Sequence, residues 1–165
     1  MRDDIKTIHA ATDLLAEAKL SPELRNEALY YRAKAYTKQK ADKKAMEDYR
    51  ELAKDTRNSY GAEAKYQVAQ SLYDAKEYAA AEKELLNYIE QSTPHAYWLA
   101  RSFILLSDVY HATGKDLDAR QYLLSLQQNY QGNDDIESMI ESRLSKLKVE
   151  NWELKNRKVW NDLII

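Results

Sequence analysis

Apolar residues recur along this chain at steps of three and four, the spacing that gathers them on one face of an α-helix. The pattern predicts a first amphipathic helix over residues 3–19, with Ile5, Ile8, Ala11, Leu15 and Ala18 on one side. Ser21-Pro22 restarts the chain. Serine caps the next helix, and proline fits its first position because that amide hydrogen has no helical partner. Over residues 22–40 two stripes run side by side, one of Leu24, Ala28, Tyr31 and Ala35, the other of Leu29, Ala33 and Tyr36. Two stripes on one helix mean packing from two sides. Asp42 is the expected cap of a helix carrying Ala45, Tyr49 and Leu52. Asn58-Ser59 opens another two-sided helix, with Ala62, Tyr66, Ala69 and Tyr73 on one face and Ala64, Val68, Leu72 and Ala75 on the other. Its partner brings Tyr78, Ala81, Leu85 and Tyr88.

Thr93-Pro94 repeats the serine–proline signal. The helix behind it carries Leu99, Phe103, Leu106 and Tyr110 on one face, and Trp98, Leu105, Val109 and Ala112 on the other. Gly114 ends that helix, where a left-handed residue carries no Cβ penalty. Asp116 is the expected cap of the next, whose Ala119, Leu123, Leu126 and Tyr130 point inward. After Gly132 a last helix, from residue 134 onward, shows the single stripe Ile136, Ile140, Leu144 and Leu147. One stripe suits an end cap with its polar face toward water.

Overlaying the helix pairs exposes a repeat. Ala33 is followed by Ala45, Ala69 by Ala81, and Ser107 by Ala119, each twelve residues on; the first members stand 36 and 38 residues apart. Tyr36, Leu72 and Tyr110 follow three after the small residue, and Tyr49, Leu85 and Leu123 follow four after the second alanine. A small residue in each helix of a hairpin, in units of about 34 residues, is the tetratricopeptide pattern. Residues 22–132 therefore resemble the tetratricopeptide-repeat (TPR) family, and Ala11, Leu15, Ala18 and Pro22 resemble the second helix of a truncated repeat. Gly114 stands at the family's turn glycine. Lys40 and Lys76 replace that glycine, Asp42 and Asp116 stand where Tyr78 keeps the usual aromatic, and Arg32 occupies a normally aliphatic position. The competing architecture is an ordinary helical bundle.

The resemblance implies an all-α fold, a right-handed α-α superhelix or TPR solenoid of antiparallel helix pairs with a C-terminal capping helix. Its parts are a truncated repeat (1–20), three units (about 22–57, 58–92 and 93–132), and a cap with an apolar tail (133–165). Units of this length, rich in tyrosine and poor in glycine, look most like the TPR proteins of the bacterial cell envelope. Those resemble the outer-membrane-assembly lipoprotein and the periplasmic partner of the Tol–Pal system, which favours envelope or periplasm over cytoplasm.

Composition narrows the function. Three glycines and two prolines leave long helices as the main content, and 44% hydrophobic with 32% charged residues suits a folded chain. A net charge of −2 provides no bulk field for nucleic acid. The absence of cysteine removes disulfides, thiolate metal sites and a cysteine nucleophile. No apolar run is long enough to span a membrane, and the start has no apolar segment of a signal peptide. His9, His95 and His111 fall in separate helices or near their starts, without metal-site spacing. Lys38, Lys40, Lys43 and Lys44 read as a solvated basic edge. No phosphate loop or Gly-x-Ser-x-Gly elbow occurs, so the reading is a non-enzyme without metal or cofactor.

Stacked hairpins would line a concave groove with their first helices. Family geometry assigns to it Glu27, Tyr30, Tyr31, Lys34 and Lys38, then Glu63, Tyr66, Gln67, Gln70, Tyr73 and Asp74, then Arg101, Ile104, Leu105, Asp108 and His111. Tyrosine, amide and charge together suit a peptide or protein segment, since tyrosine brings large contact area with a polar tip. Packing of Tyr66 and Tyr73 between repeats is the competing role for those two. The family's clamp for a chaperone's C-terminal carboxylate is missing, because its lysine and asparagine positions hold Tyr30, Tyr66 and Ile104, then Lys34, Gln70 and Asp108. The expected function is a protein–protein interaction scaffold, a module of a longer array. The alternatives are a self-assembling module of a larger envelope complex, or a helical accessory subunit of an enzyme. Self-association would run through the first helix or the tail, where Trp152, Val159, Trp160, Leu163, Ile164 and Ile165 are too apolar for a free end.

Overall fold

A computed structural model describes residues 2–91 and 93–147. The apolar tail from Trp152 to Ile165 lies outside them. The described residues form eight α-helices and no strand: α1 (Arg2–Leu15), α2 (Pro22–Lys38), α3 (Asp42–Leu52), α4 (Ser59–Asp74), α5 (Tyr78–Glu90), α6 (Ala96–Ala112), α7 (Asp116–Asn129) and α8 (Ile136–Lys146). None of these helices is long and apolar enough to cross a membrane.

Several boundaries differ from the periodicity. The first helix stops at Leu15, leaving Ala18 exposed in a turn instead of on the apolar stripe. Helix α2 ends at Lys38, short of Lys40, because a left-handed residue terminates it. The last helix begins at Ile136, where the Asp134 carboxylate accepts from the Ile136 amide.

Short turns fold each helix back on the one before. The turns that close α2–α3, α4–α5 and α6–α7 are built alike. In each, two amides reach back to carbonyls of the preceding helix: Lys40 to Thr37 (3.0 Å) and Ala41 to Tyr36 (2.9 Å), Lys76 to Tyr73 and Glu77 to Leu72 (both 2.9 Å), Gly114 to His111 (3.1 Å) and Lys115 to Tyr110 (2.8 Å). This double bond satisfies carbonyls that a helix end leaves orphaned. It requires a left-handed residue, and Lys40 (φ 57°), Lys76 (φ 61°) and Gly114 (φ 78°) supply it. The lysines therefore keep the glycine's geometry and bear its strain. Replacing Lys76 by glycine removes about 1–2 kcal/mol of left-handed strain and returns about 0.4–1 kcal/mol as unfolded-state entropy. Lys76→Gly should raise the denaturation midpoint slightly; a lowered midpoint would contradict this turn.

The alanines marking the repeat point inward: Ala33, Ala81 and Ala119 are 0% exposed, Ala69 and Ser107 1%, and Ala45 3%. Without bulk there, paired helices approach closely, and Tyr49, Leu85 and Leu123 fill the flanks. Each such buried leucine contributes about 1.5–3 kcal/mol. One core gathers Leu29, Ala33, Tyr49, Leu52 and Val68; a larger one runs from Tyr66 through Leu106 and Leu123 to Ile140 and Leu147.

Each helix packs on its neighbours in sequence. Beyond that, α2 touches α4, α4 touches α6 and α6 touches α8, whereas α3, α5 and α7 stay apart from one another. The first helices of the hairpins thus form a continuous inner row, with the second helices spaced along the other side. On α8, Ile136 and Ile140 are buried while Ser138, Glu141, Ser142 and Ser145 face water.

Candidate functional site

The row α2, α4, α6 brings together most of the residues that the TPR resemblance assigns to a groove. Many of them bridge adjacent hairpins. The Lys34 ammonium donates to the Tyr30 phenol oxygen (3.0 Å), and that phenol donates to Glu63 Oε2 (2.9 Å) on the next hairpin. Burial pushes the Tyr30 phenol up, while the bond to Tyr30 holds Lys34 charged to higher pH than a free lysine. One hairpin along, Arg101 Nη2 donates to the Tyr66 phenol oxygen (3.0 Å), Tyr66 donates to Gln70 Oε1 (2.9 Å), and the Gln70 amide donates to Asp74 Oδ1 (2.9 Å). At the far end Arg143 grips Asp108 with two bonds of 3.3 and 3.2 Å. Burial, then the Asp108 charge, pushes the nearby Tyr73 phenol up.

These contacts sort the candidates. Ile104 is 1% exposed, Leu105 2% and Tyr66 6%. They belong to the core, and their assignment to the groove surface is corrected. Helix α6 is enclosed by α4, α5, α7 and α8, which covers Ile104 and Leu105, and Tyr66 on α4 is covered by Trp98 and Arg101 of α6. Tyr30, Glu63, Arg101 and Asp108 are partly covered and engaged in bridges. Gln67, Gln70 and Tyr73 are half-buried. Glu27, Tyr31, Lys34, Lys38, Asp74 and His111 are exposed; of these, Lys38 lies 3.8 Å from Asp4, and His111 Nδ1 2.8 Å from the Asp116 carboxylate.

The residues that complete the bridges lie outside the groove positions expected from the sequence. Tyr60 stacks on Tyr30 at 4.7 Å and Trp98 on Tyr66 at 5.6 Å, each ring entering from the first turn of the following hairpin. Both pairs obey the repeat, with 36 residues between the tyrosines and 38 between Tyr60 and Trp98, so extending the overlay by one turn finds them. Arg143 carries no such signal, because its equivalents are Leu105 and Gln67. The opposite edge is tied as well: Thr93 Oγ1 donates to the Thr56 carbonyl (3.1 Å), and His95 Nε2 lies 2.7 Å from the Arg57 carbonyl. Thr93 thus joins two loops and does not cap α6, which begins at Ala96 behind His95.

Openings remain in this packing, one of about 580 Å³ among α3, α4 and α5 and another beside the candidate residues. Between the first and second hairpins lies a cleft of about 470 Å³, lined by Thr37, Asp42, Ala45, Met46, Tyr49, Gln67, Gln70, Ser71, Asp74 and Ala75. Three of these, Gln67, Gln70 and Asp74, are groove candidates.

Compared with protein-family models, with curated proteins and with solved structures, the chain matches none.

Proposed function

We propose that this chain is a TPR-type solenoid acting as a non-catalytic scaffold that binds a peptide or protein segment along the row α2, α4, α6. The observation that carries the reading is the continuity of this row. Helices of successive hairpins touch, and the row offers Tyr31, Lys38, Asp74 and His111 to solvent between polar bridges. Bridged tyrosines and ion pairs hold that face in one shape, so little ordering entropy remains to oppose an incoming chain. A stiff, amphipathic, mixed-charge surface favours an extended segment read side chain by side chain.

The test is selection of peptides from a random display library on the immobilised protein. Enriched peptides should bind at least tenfold more weakly to a Tyr31→Ala, Asp74→Ala, His111→Ala triple variant that retains its melting temperature. Equal binding to the two proteins, or no enrichment, would remove the groove from the account.

A further inference from the structure

We propose that the cleft between the first and second hairpins is a subsite for a basic side chain, lysine or arginine, of the segment lying on the α2, α4, α6 face. It rests on the groove reading and adds to it a specificity.

The second and third hairpins meet at an equivalent junction. There the positions of Thr37 and Asp42 are taken by Tyr73 and Tyr78, whose rings pack at 5.6 Å. The positions of Gln67 and Ser71 are taken by Leu105 and Val109, 2% and 0% exposed. One junction is filled with apolar bulk. The other substitutes small or polar groups at all four positions and stays open by about 470 Å³. Packing alone favours the filled version, because an open cleft forfeits contacts on both walls.

The lining has the chemistry of a cation site with an aliphatic approach. Asp42 and Asp74 contribute two carboxylates, while Thr37, Tyr49, Gln67 and Ser71 contribute hydroxyl and amide oxygens as acceptors. Met46, Ala45 and Ala75 form walls along which a hydrocarbon stem can lie. Asp74 occupies the last position of α4, which has no basic residue in its final turn. A carboxylate at the negative end of a helix is unfavourable unless a cation joins it. One of its oxygens receives the Gln70 amide, which also fixes its direction. Neighbouring lysines are engaged elsewhere: Lys34 on Tyr30, Lys38 beside Asp4, and Lys44 over the Tyr36 ring at 5.6 Å. Lys43 and Arg50 line an adjoining opening of about 370 Å³ that shares Asp42, Met46 and Ser71 with the cleft, and leave Asp74 to the cleft alone.

The experiment is amide NMR of the full chain titrated with N-acetyl-arginine methylamide and N-acetyl-lysine methylamide. The controls are the isosteric citrulline compound, which is neutral, and the glutamate compound. The basic probes should give saturable shifts centred on Gln67, Ser71 and Asp74, at least fivefold tighter than citrulline. Asp42→Asn with Asp74→Asn should abolish that preference in a folded protein. Gln67→Leu with Ser71→Val, copying the filled junction, should remove the shifts and raise the melting midpoint. Equal response to citrulline, shifts centred elsewhere, or shifts surviving both double variants would overturn the subsite. Library peptides that still depend on Tyr31 and His111 would then leave the groove standing; loss of that dependence as well would remove both.

Discussion

Replacing Gly61 with alanine should cost about 2–4 kcal/mol, the largest loss among the three glycines. A Cβ at Gly61 would lie 1.8 Å from the Asp55 carbonyl oxygen and 2.8 Å from that of Leu52. Both are backbone atoms, so no side-chain rotation relieves the clash. The close approach is built by Asn58, whose side chain accepts from the Gly61 amide (2.8 Å) and donates to the Asp55 carbonyl (2.9 Å). This pinches the end of α3 against the start of α4. Overpacking a rigid interior costs about 1–3 kcal/mol, occasionally more, and a backbone obstacle belongs at the upper end. Better helix propensity for alanine returns under about 1 kcal/mol. The other glycines provide an internal scale. Gly114→Ala meets nothing within 4 Å but must adopt φ +78°, a strain of about 1–2 kcal/mol. The three atoms nearest a Cβ at Gly132 belong to the side chains of Tyr130 and Asp134, none to backbone, so the methyl displaces less of the fold than at Gly61. Urea denaturation of the three alanine variants should rank them Gly61 far worst, then Gly114, then Gly132. A Gly61→Ala midpoint within error of wild type would mean the two helices do not meet as described.

The repeat was legible because it is written in small residues at fixed intervals, and close helix packing tolerates nothing larger there. The turns were legible too, once Gly114 is aligned with Lys40 and Lys76; a Cβ strains the left-handed conformation without forbidding it. Capping was not. Asp42 and Asp116 stand one residue inside their helices, behind Ala41 and Lys115, neither of which makes a side-chain cap bond. The double-bonded turn feeds directly into the next helix, with Ala41, Glu77 and Lys115 at ψ 57°, 60° and 58° instead of an extended cap. The carboxylates still sit at the positive end of the dipole, which explains their place without a cap. Gly61 left one unused signal, a glycine inside a predicted helix, where it costs stability unless another backbone approaches.

The face was half legible for a related reason. Periodicity tells which residues share a side of a helix, but not how many neighbours that side has. Helix α6 has four, so Ile104 and Leu105 are enclosed; α2 leaves Tyr31 49% exposed. The same position in successive units therefore binds water at one end of the row and core in the middle.

Arg32 carries the second large effect. Where the repeat expects an aliphatic residue, its guanidinium donates from Nε and Nη2 to the two oxygens of Asp48 (2.8 and 2.7 Å) and from Nη1 to Thr12 Oγ1 (3.1 Å), joining α1, α2 and α3. The Asp48 side chain is 6% exposed and that of Arg32 19%. Taking Arg32 to leucine strands a carboxylate away from water, and breaking such a pair from one side costs about 3–5 kcal/mol. The water that still reaches Arg32 places the expected loss nearer 3. Much of that cost is desolvation of the abandoned charge and not the attraction lost. Arg32→Leu with Asp48→Leu should therefore recover most of the stability, because an apolar pair of similar volume is often neutral or better. Urea denaturation of both single variants and the double closes the cycle. If Arg32→Leu alone costs under about 1 kcal/mol, the range of exposed pairs, the bridge is a surface contact and does not hold α1 in place.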